Sequence, residues 1–317
     1  MHSTKDHQTR RGLRDYFWIA ARGYCMGAAD VVPGVSGGTM AFILGIYEEL
    51  LDAIRAVDIR FIRLLLTMRF RQAFIDFPWK FVLSLVVGIF AAILTLARSL
   101  SWALEHQPTF VWSFFFGLVL ASIFVIRKRI VAWNLALLLI TVLAAVGAYL
   151  LVGMVPVETP DAPWFLFLSG AIAINAMILP GISGAFILVL LGKYQFMLDA
   201  VVQGDFVVLF IVICGALVGL LIFARILRWL LRHYHDYTVA VLIGLIIGAL
   251  RKVWPWKEYV ESEPGTVDQL IYVIEKNVLP ETFSNDVALA LGLMVLGFIL
   301  VIILDYLAAQ KTEIKQE

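Results

Sequence analysis

Apolar residues run along this chain in long stretches, at 16–32, 40–54, 81–97, 110–126, 133–152, 164–179, 186–202, 206–224, 239–250 and 287–304. Several approach the ~20 residues that a helix needs to cross a bilayer. Charged residues collect between the stretches. The pattern predicts an all-α polytopic membrane protein. Two sites interrupt it, Pro33-Gly34-Val35-Ser36-Gly37 and Pro180-Gly181-Ile182-Ser183-Gly184. The apolar pieces flanking each break are short, so they read as half-helices or a re-entrant hairpin. Membranes tolerate such backbone only where it is buried in protein or lines a cavity.

The two breaks belong to a duplication. Over 33–53 against 180–200, without gaps, ten of 21 positions are identical. A second block matches at another offset: Gly88, Leu94, Ala97, Arg98, Trp102, His106 and Gly117 face Gly215, Leu221, Ala224, Arg225, Trp229, His233 and Gly244. The offset falls from 147 to 127, so the first half carries 20 extra residues, among them Arg55, Arg60, Arg63, Arg69 and Arg71. The reading is one membrane domain, 1–317, with repeat one at 16–153 and repeat two at 164–306. Each repeat holds one broken or re-entrant helical hairpin plus three transmembrane helices. Either form of break leaves an odd number of crossings per half, which predicts inverted-topology repeats. Positive charge gives the same orientation. The amino-terminal tail, 55–80, Arg127-Lys128-Arg129, Arg225, Arg228, Arg232 and the tail with Lys311 and Lys315 fall on the cytoplasmic side. The stretch 153–163, without Lys or Arg, and the acid-rich 254–286 fall outside, with Arg251 and Lys252 as a mild discord. Six full spans then leave both termini cytoplasmic. The first hairpin enters from the cytoplasm and the second from outside.

Composition agrees: 62% of the 317 residues are apolar and 15% charged, well outside the soluble average. A net charge of +1 gives no electrostatic case for nucleic acid. Lys5, Arg10, Arg11 and Arg14 read as a basic cytoplasmic tail rather than a signal peptide or twin-arginine address. Cys25 and Cys214 provide neither a disulfide framework nor metal-ligand spacing.

The breaks carry the candidate chemistry. Pro removes a donor and disfavours helix at the residue before it; Gly adopts angles that other residues avoid. Ser36 is a natural N-cap, with Thr39 one turn in. The helix end so formed exposes N–H groups and suits an anion, phosphate especially. Ser183 and Gly184 offer a similar end. The competing reading is a pair of tight helix corners with Gly for close packing. Each helix end contributes only ~0.3–2 kcal/mol, against ~2.5 kcal/mol or more for a charge at mid-bilayer, so an anion needs cations. Arg98 and Arg225 are the paired candidates, unless they snorkel to a helix end. Arg22 and Lys193 flank the breaks. Asp30 and Glu48 flank the first break in apolar sequence and are candidates for carrying a proton, since Met177 and Gln195 stand at their matching positions. Asn175 can bond a headgroup or the unwound backbone. Gly34-Val35-Ser36-Gly37 also fits an intramembrane serine protease. His106, His233 and His235 sit at span ends, however, and no His lies inside a predicted span to serve as base.

The run from Gly27 to Thr39 (Gly27-Ala28-Ala29-Asp30-Val31-Val32-Pro33-Gly34-Val35-Ser36-Gly37-Gly38-Thr39), followed by Gly45-Ile46-Tyr47-Glu48, resembles the signature of the bacterial polyprenyl-phosphate translocase family PopT. Ala176-Met177-Ile178-Leu179-Pro180-Gly181-Ile182-Ser183-Gly184 resembles its second signature. The likeness spans about 22–304. It implies flipping of undecaprenyl phosphate across the bacterial cytoplasmic (inner) membrane, back to the cytoplasmic leaflet, for recycling of the cell-wall lipid carrier. It also implies that Asp30, Pro33, Gly34, Ser36, Gly37, Gly38, Thr39, Tyr47 and Glu48 form one side of the site. Asn175, Pro180, Gly181, Ser183 and Gly184 form the other.

The expectation is therefore a transporter, not an enzyme, with no cofactor and no metal. A polyprenyl phosphate headgroup rests between opposed helix ends near the midplane, aided by Arg98 and Arg225. A secondary transporter of a small soluble anion is the alternative, and an intramembrane hydrolase the third reading.

Overall fold

The computed structural model describes residues 11–32, 36–75, 77–154, 156–157, 159–261, 273–280 and 282–313. The first half opens with α1 (Leu13–Asp30), α2 (Gly37–Ile43) and α3 (Tyr47–Arg55), then two short helices, α4 (Ile59–Leu66) and α5 (Phe70–Ile75). Long helices follow: α6 (Trp79–His106), α7 (Pro108–Ile126) with a 3-10 turn at Arg127–Arg129, and α8 (Leu135–Val152). The second half repeats this order with α9 (Pro163–Ile178), α10 (Gly184–Leu190), α11 (Tyr194–Gln203), α12 (Phe206–His233), α13 (His235–Ala249) and α14 (Asn285–Glu313). One antiparallel hairpin, β1 (Lys257–Glu261) paired with β2 (Val273–Asn277), precedes α14. The fold is thus all-α, and the chain is a multi-pass membrane protein.

Among the described residues five helices are long and apolar enough to cross a membrane, or six if α10 and α11, bent by 103°, are taken as one. Six full spans were expected. The helix that falls short is α13, whose 15 residues reach ~22 Å at 1.5 Å per residue, against a hydrocarbon core of ~30 Å. It buries much of its length against other helices, so it does not have to match the lipid alone. The outer helices meet lipid instead. Leu83, Val87, Phe90 and Leu94 form an exposed apolar stripe on α6, at the i, i+3, i+4 spacing of one helical face.

Helices pair through glycines whose absent side chains let backbones touch. A Cβ at Gly88 on α6 would lie 2.0 Å from the Ala20 carbonyl of α1, and one at Gly215 on α12 would lie 1.9 Å from the Phe167 carbonyl of α9. Gly23 abuts Leu85 and Gly170 abuts Val212 in the same way. The partners in these contacts stand at the two offsets found in the sequence, 147 within α1 and α9, 127 within α6 and α12. The remaining pairs cross between halves. Gly117 of α7 meets Met294 of α14, while Gly244 and Gly248 of α13 meet Thr141 and Ala145 of α8. Both of these pairs run parallel. Contacts advance together from Gly117–Met294 to Lys128–Asp305, and from Thr141–Ala240 to Tyr149–Arg251.

The centre is built from α2, every residue of which is buried, together with Tyr47, Leu51, Val239, Leu242, Ile243 and Ile246. The β-hairpin was not anticipated: the acid-rich loop carries too little alternation to announce strands.

Substituting Gly215→Ala drives a methyl into the Phe167 carbonyl, whereas Gly147→Ala meets nothing within 4 Å. Overpacking costs ~1–3 kcal/mol, and Gly→Ala in open helix gains a little. We expect thermal unfolding in detergent to show a lower midpoint for Gly215→Ala and an equal or higher one for Gly147→Ala. Equal midpoints for the two would remove the close-packing argument.

Candidate functional site

Pro180 sets the problem that the site solves. It has no N–H, so the helix cannot continue its hydrogen-bond ladder, and the last carbonyls of α9 lose their intrahelical donors. Leu179 turns extended (ψ 128°) and Gly181 takes φ +90°, a conformation that disfavours a side chain. Hydroxyls from the other half fill the gap. Ser36 donates to the Met177 carbonyl at 3.1 Å, and Tyr47 donates to the Ile178 carbonyl at 3.1 Å. In return the Gly181 amide donates to Thr39 Oγ1 at 2.9 Å. Gly38 makes the approach feasible, because a Cβ there would lie 2.4 Å from the Ile178 carbonyl. Ser36, Thr39 and Tyr47 are 2%, 1% and 0% exposed, so these bonds lie out of contact with bulk solvent and count fully.

The start of α2 is closed by its own chain. Ser36 caps it, accepting from the Gly38 amide at 3.1 Å, and the Asp30 carboxylate accepts from the Gly37 amide at 2.7 Å. At its other end Arg129 donates to the Phe42 carbonyl at 3.0 Å. The start of α10 differs. Ser183 makes no side-chain cap, and among the described residues the Gly184, Ala185 and Phe186 amides carry no recorded acceptor. The Asn175 side-chain oxygen is buried and likewise has no partner among the described residues. Of the residues expected on the first side, Pro33 and Gly34 lie outside the described residues. Ser36, Gly38, Thr39 and Tyr47 meet 177–181 of the second break, while Asp30 and Gly37 bond each other at the start of α2. Pro180, Gly181, Ser183 and Gly184 follow directly on α9, with Gly184 packed on the Ala173 carbonyl.

The cations stand elsewhere. Arg98 is exposed on α6. Arg225 donates to the Leu221 and Val57 carbonyls, at 2.6 and 2.9 Å, and so fastens α12 to the end of the first hairpin. Among the described residues neither bonds to the breaks. Glu48 is held by Arg228, which also grips both oxygens of Asp52 at 2.8 Å. This clamp of α3 on α12 was not anticipated, because Arg228 has no counterpart in the first half: Ser101 occupies its place. Arg11 ties the start of α1 to Glu49 of α3, which brings both ends of the first hairpin together. At the second hairpin Lys193 is buried and paired with Asp161, just before α9. Arg22 lies half-buried along α1. Among the described residues no cluster of His, Cys, Asp and Glu could hold a metal ion.

The cross-ties predict specific losses. Tyr47→Phe leaves the Ile178 carbonyl without its donor, and Thr39→Val leaves the Gly181 amide without its acceptor. An unpaired buried group costs ~1–3 kcal/mol. Each variant is expected to unfold at lower temperature in detergent than the intact protein, and wild-type behaviour in both would show that the ties contribute nothing.

Known proteins resemble the chain over most of its length. A family described as undecaprenyl phosphate translocase-like matches residues 26–270. A polyprenyl-phosphate transporter of Vibrio cholerae serotype O1 is 40% identical over 297 residues, covering 92% of this chain and 96% of the relative. A polyprenyl-phosphate transporter of Staphylococcus aureus is 29% identical over 265 residues, covering 77% and 88%. No solved structure matches the chain significantly.

Proposed function

We propose, from the premise that this chain belongs to the undecaprenyl phosphate translocase-like family, that it carries a polyprenyl phosphate between the leaflets of the bacterial cytoplasmic membrane. The observation that carries this reading is the 40% identity to a polyprenyl-phosphate transporter across nearly the whole of both chains. The two breaks, which lie inside the matched region, supply the site. The phosphate rests between the starts of α2 and α10, and the isoprenoid tail stays in lipid. The open amides of α10, the uncapped Ser183 and the unpartnered oxygen of Asn175 support a polar seat on the second side. The first side is closed by its own Asp30 and Ser36, so its amides become available only when the Asp30 carboxylate leaves.

The halves work as inverted repeats, 16–153 and 164–306, with both termini cytoplasmic. Support comes from the helix pairs that cross between halves. The third span of repeat one runs parallel to the second helix of repeat two, and the second span of repeat one runs parallel to the third of repeat two. Successive spans joined by short links alternate in direction, so this pairing inverts one half against the other. Rocking of the halves presents the site to each leaflet in turn. Arg98 and Arg225 act on the headgroup only as it nears their helix ends.

Asp30 couples the cycle to a proton. Its carboxylate already occupies the Gly37 amide, so it competes with phosphate for that donor. Protonation removes the competing charge. Glu48, held by Arg228, is the second candidate carrier.

The test is leaflet-resolved flipping of a fluorescent polyprenyl phosphate in proteoliposomes. The intact protein should flip the lipid, and Ser36→Ala and Ser183→Ala should each slow flipping about tenfold, the weight of one charge-assisted hydrogen bond. Flipping no faster than in empty vesicles would defeat the reading. Asp30→Asn should keep downhill flipping but lose its response to an imposed proton gradient; a variant still fully driven by the gradient removes Asp30 from coupling.

A further inference from the structure

Lys193 is the least explained charge in the molecule. Its side chain is 3% exposed, and it stands at the corner between α10 and α11, where the first half has Ile46. A lysine is rarely buried so completely without a task, since its ammonium is strongly hydrated. Its head donates to the Thr159 carbonyl at 2.7 Å and to the Asp161 carboxylate. An ammonium has three donors, and the third has no recorded hydrogen-bond partner among the described residues. The Phe165 and Phe196 rings flank it, with centroids at 5.8 and 5.7 Å.

The surroundings of this ammonium are hollow. A cavity of about 600 Å³ lies between residues 156–157 and 159–161 and the α10–α11 corner, with Lys193, Thr159 and Asp161 in its wall beside apolar Val157, Val189 and Phe196. That volume falls within the range of small-ligand sites. The loop is fastened over it: the Val157 amide donates to the Leu190 carbonyl at 2.9 Å, and Thr159 Oγ1 donates to the Leu191 carbonyl. Asp161 is different. Its side chain is 61% exposed, so its carboxylate can leave for water without breaking the strap.

We infer that this cavity is a second, peripheral site for the phosphate monoester headgroup of an isoprenoid lipid, with Lys193 as its cation and Asp161 as the acid that occupies the place when the site is empty. The inference rests on the lipid-phosphate reading above and extends it to the face where the second hairpin begins. The incoming phosphate takes the free donor of Lys193 and displaces the Asp161 carboxylate. The apolar wall accepts the first isoprene units. The start of α10, at Ser183, lies at the far end of a seven-residue helix, ~10 Å away at 1.5 Å per residue. The cavity is therefore a station beside the proposed central seat and separate from it.

The experiment is binding of farnesyl phosphate, a soluble short-chain isoprenyl monophosphate, to the full chain in detergent, with farnesol and inorganic phosphate as comparison ligands. Lys193→Gln should weaken farnesyl phosphate about 10- to 100-fold, the range for a lost hydrogen bond to a charged group. Asp161→Asn should tighten it about threefold or more, because the competing carboxylate is gone. Opposite signs in the two variants separate a ligand site from a structural ion pair, which would lose stability from either change without this split. Unchanged affinity in Lys193→Gln, or a fall in both variants, overturns the inference. So does inorganic phosphate that displaces farnesyl phosphate at equal concentration, since the site would then hold a free anion. Should Lys193→Gln not fold, photocrosslinking of the intact protein with a diazirine farnesyl phosphate decides. Adducts at 156–157, 159–161 or 189–196 support the site, and adducts confined to other segments overturn it. Vesicle flipping keeps the two readings apart. An intact protein that flips the lipid but ignores Lys193→Gln sinks only this site. One that binds farnesyl phosphate through Lys193 but does not flip sinks only the transport reading.

Discussion

A carbonyl inside a membrane protein has to be hydrogen-bonded, and Pro180 leaves the end of α9 with carbonyls that its own helix cannot serve. The solution is reciprocal. Ser36 and Tyr47 of the first hairpin donate to Met177 and Ile178 of the second, and Gly181 of the second donates to Thr39 of the first. The end of α9 is served by the other half, while the start of α2 is closed from within by Asp30 and Ser36. The two breaks are therefore joined to each other by hydrogen bonds that cross between the halves.

The copies have diverged within that arrangement. In the first, Asp30 and Ser36 close the start of α2 from within. In the second, Met177 replaces the acid, Ser183 leaves its cap unmade, and the amides of α10 stay open. The same Pro-Gly-x-Ser-Gly sequence thus leads into one closed helix start, at α2, and one open helix start, at α10. A ligand carrying negative charge has something to gain at the open start, and it meets a carboxylate already seated at the closed one.

Much of this was legible before any coordinates. Apolar run lengths gave the all-α membrane class, and the repeated motif singled out the two breaks and the residues that tie them. What escaped the sequence was long-range and side-chain specific. Arg98 and Arg225 match in the duplication, yet Arg225 is spent on the Val57 carbonyl and Arg98 faces outward, because a shared position in two helices does not fix which way a flexible cation reaches. Arg228 reads only as a cytoplasmic charge, since its partners, Glu48 and Asp52, lie about 180 residues away in the chain. The run at 239–250 reads as a full span, yet α13 is only 15 residues long and much of it is buried in protein, which hydropathy alone does not distinguish from lipid. The β-hairpin lies in a stretch whose composition favours loop.

Scale then decides whether such a structure can move. Net contributions of single intramolecular hydrogen bonds are ~0.5–1.5 kcal/mol, so the three cross-ties together hold the hairpins closed by only a few kcal/mol. The corners add one clamp each, Arg228 on Glu48 and Asp52, and Lys193 on Asp161. Both clamps have a carboxylate that is about half exposed, and screened pairs of that kind contribute ~0–1 kcal/mol. The glycine seams between helices are of another order, since backbone against backbone leaves no slack to yield. Parting the hairpins is thus the soft coordinate of the fold, and sliding within a helix pair is the stiff one. A ligand shifts a two-state balance only by its difference in affinity between the states. An anion can accept from Ser36, Tyr47 and the Gly181 amide but cannot donate to the Met177 and Ile178 carbonyls, so parting the hairpins also requires another donor, such as water, for those carbonyls.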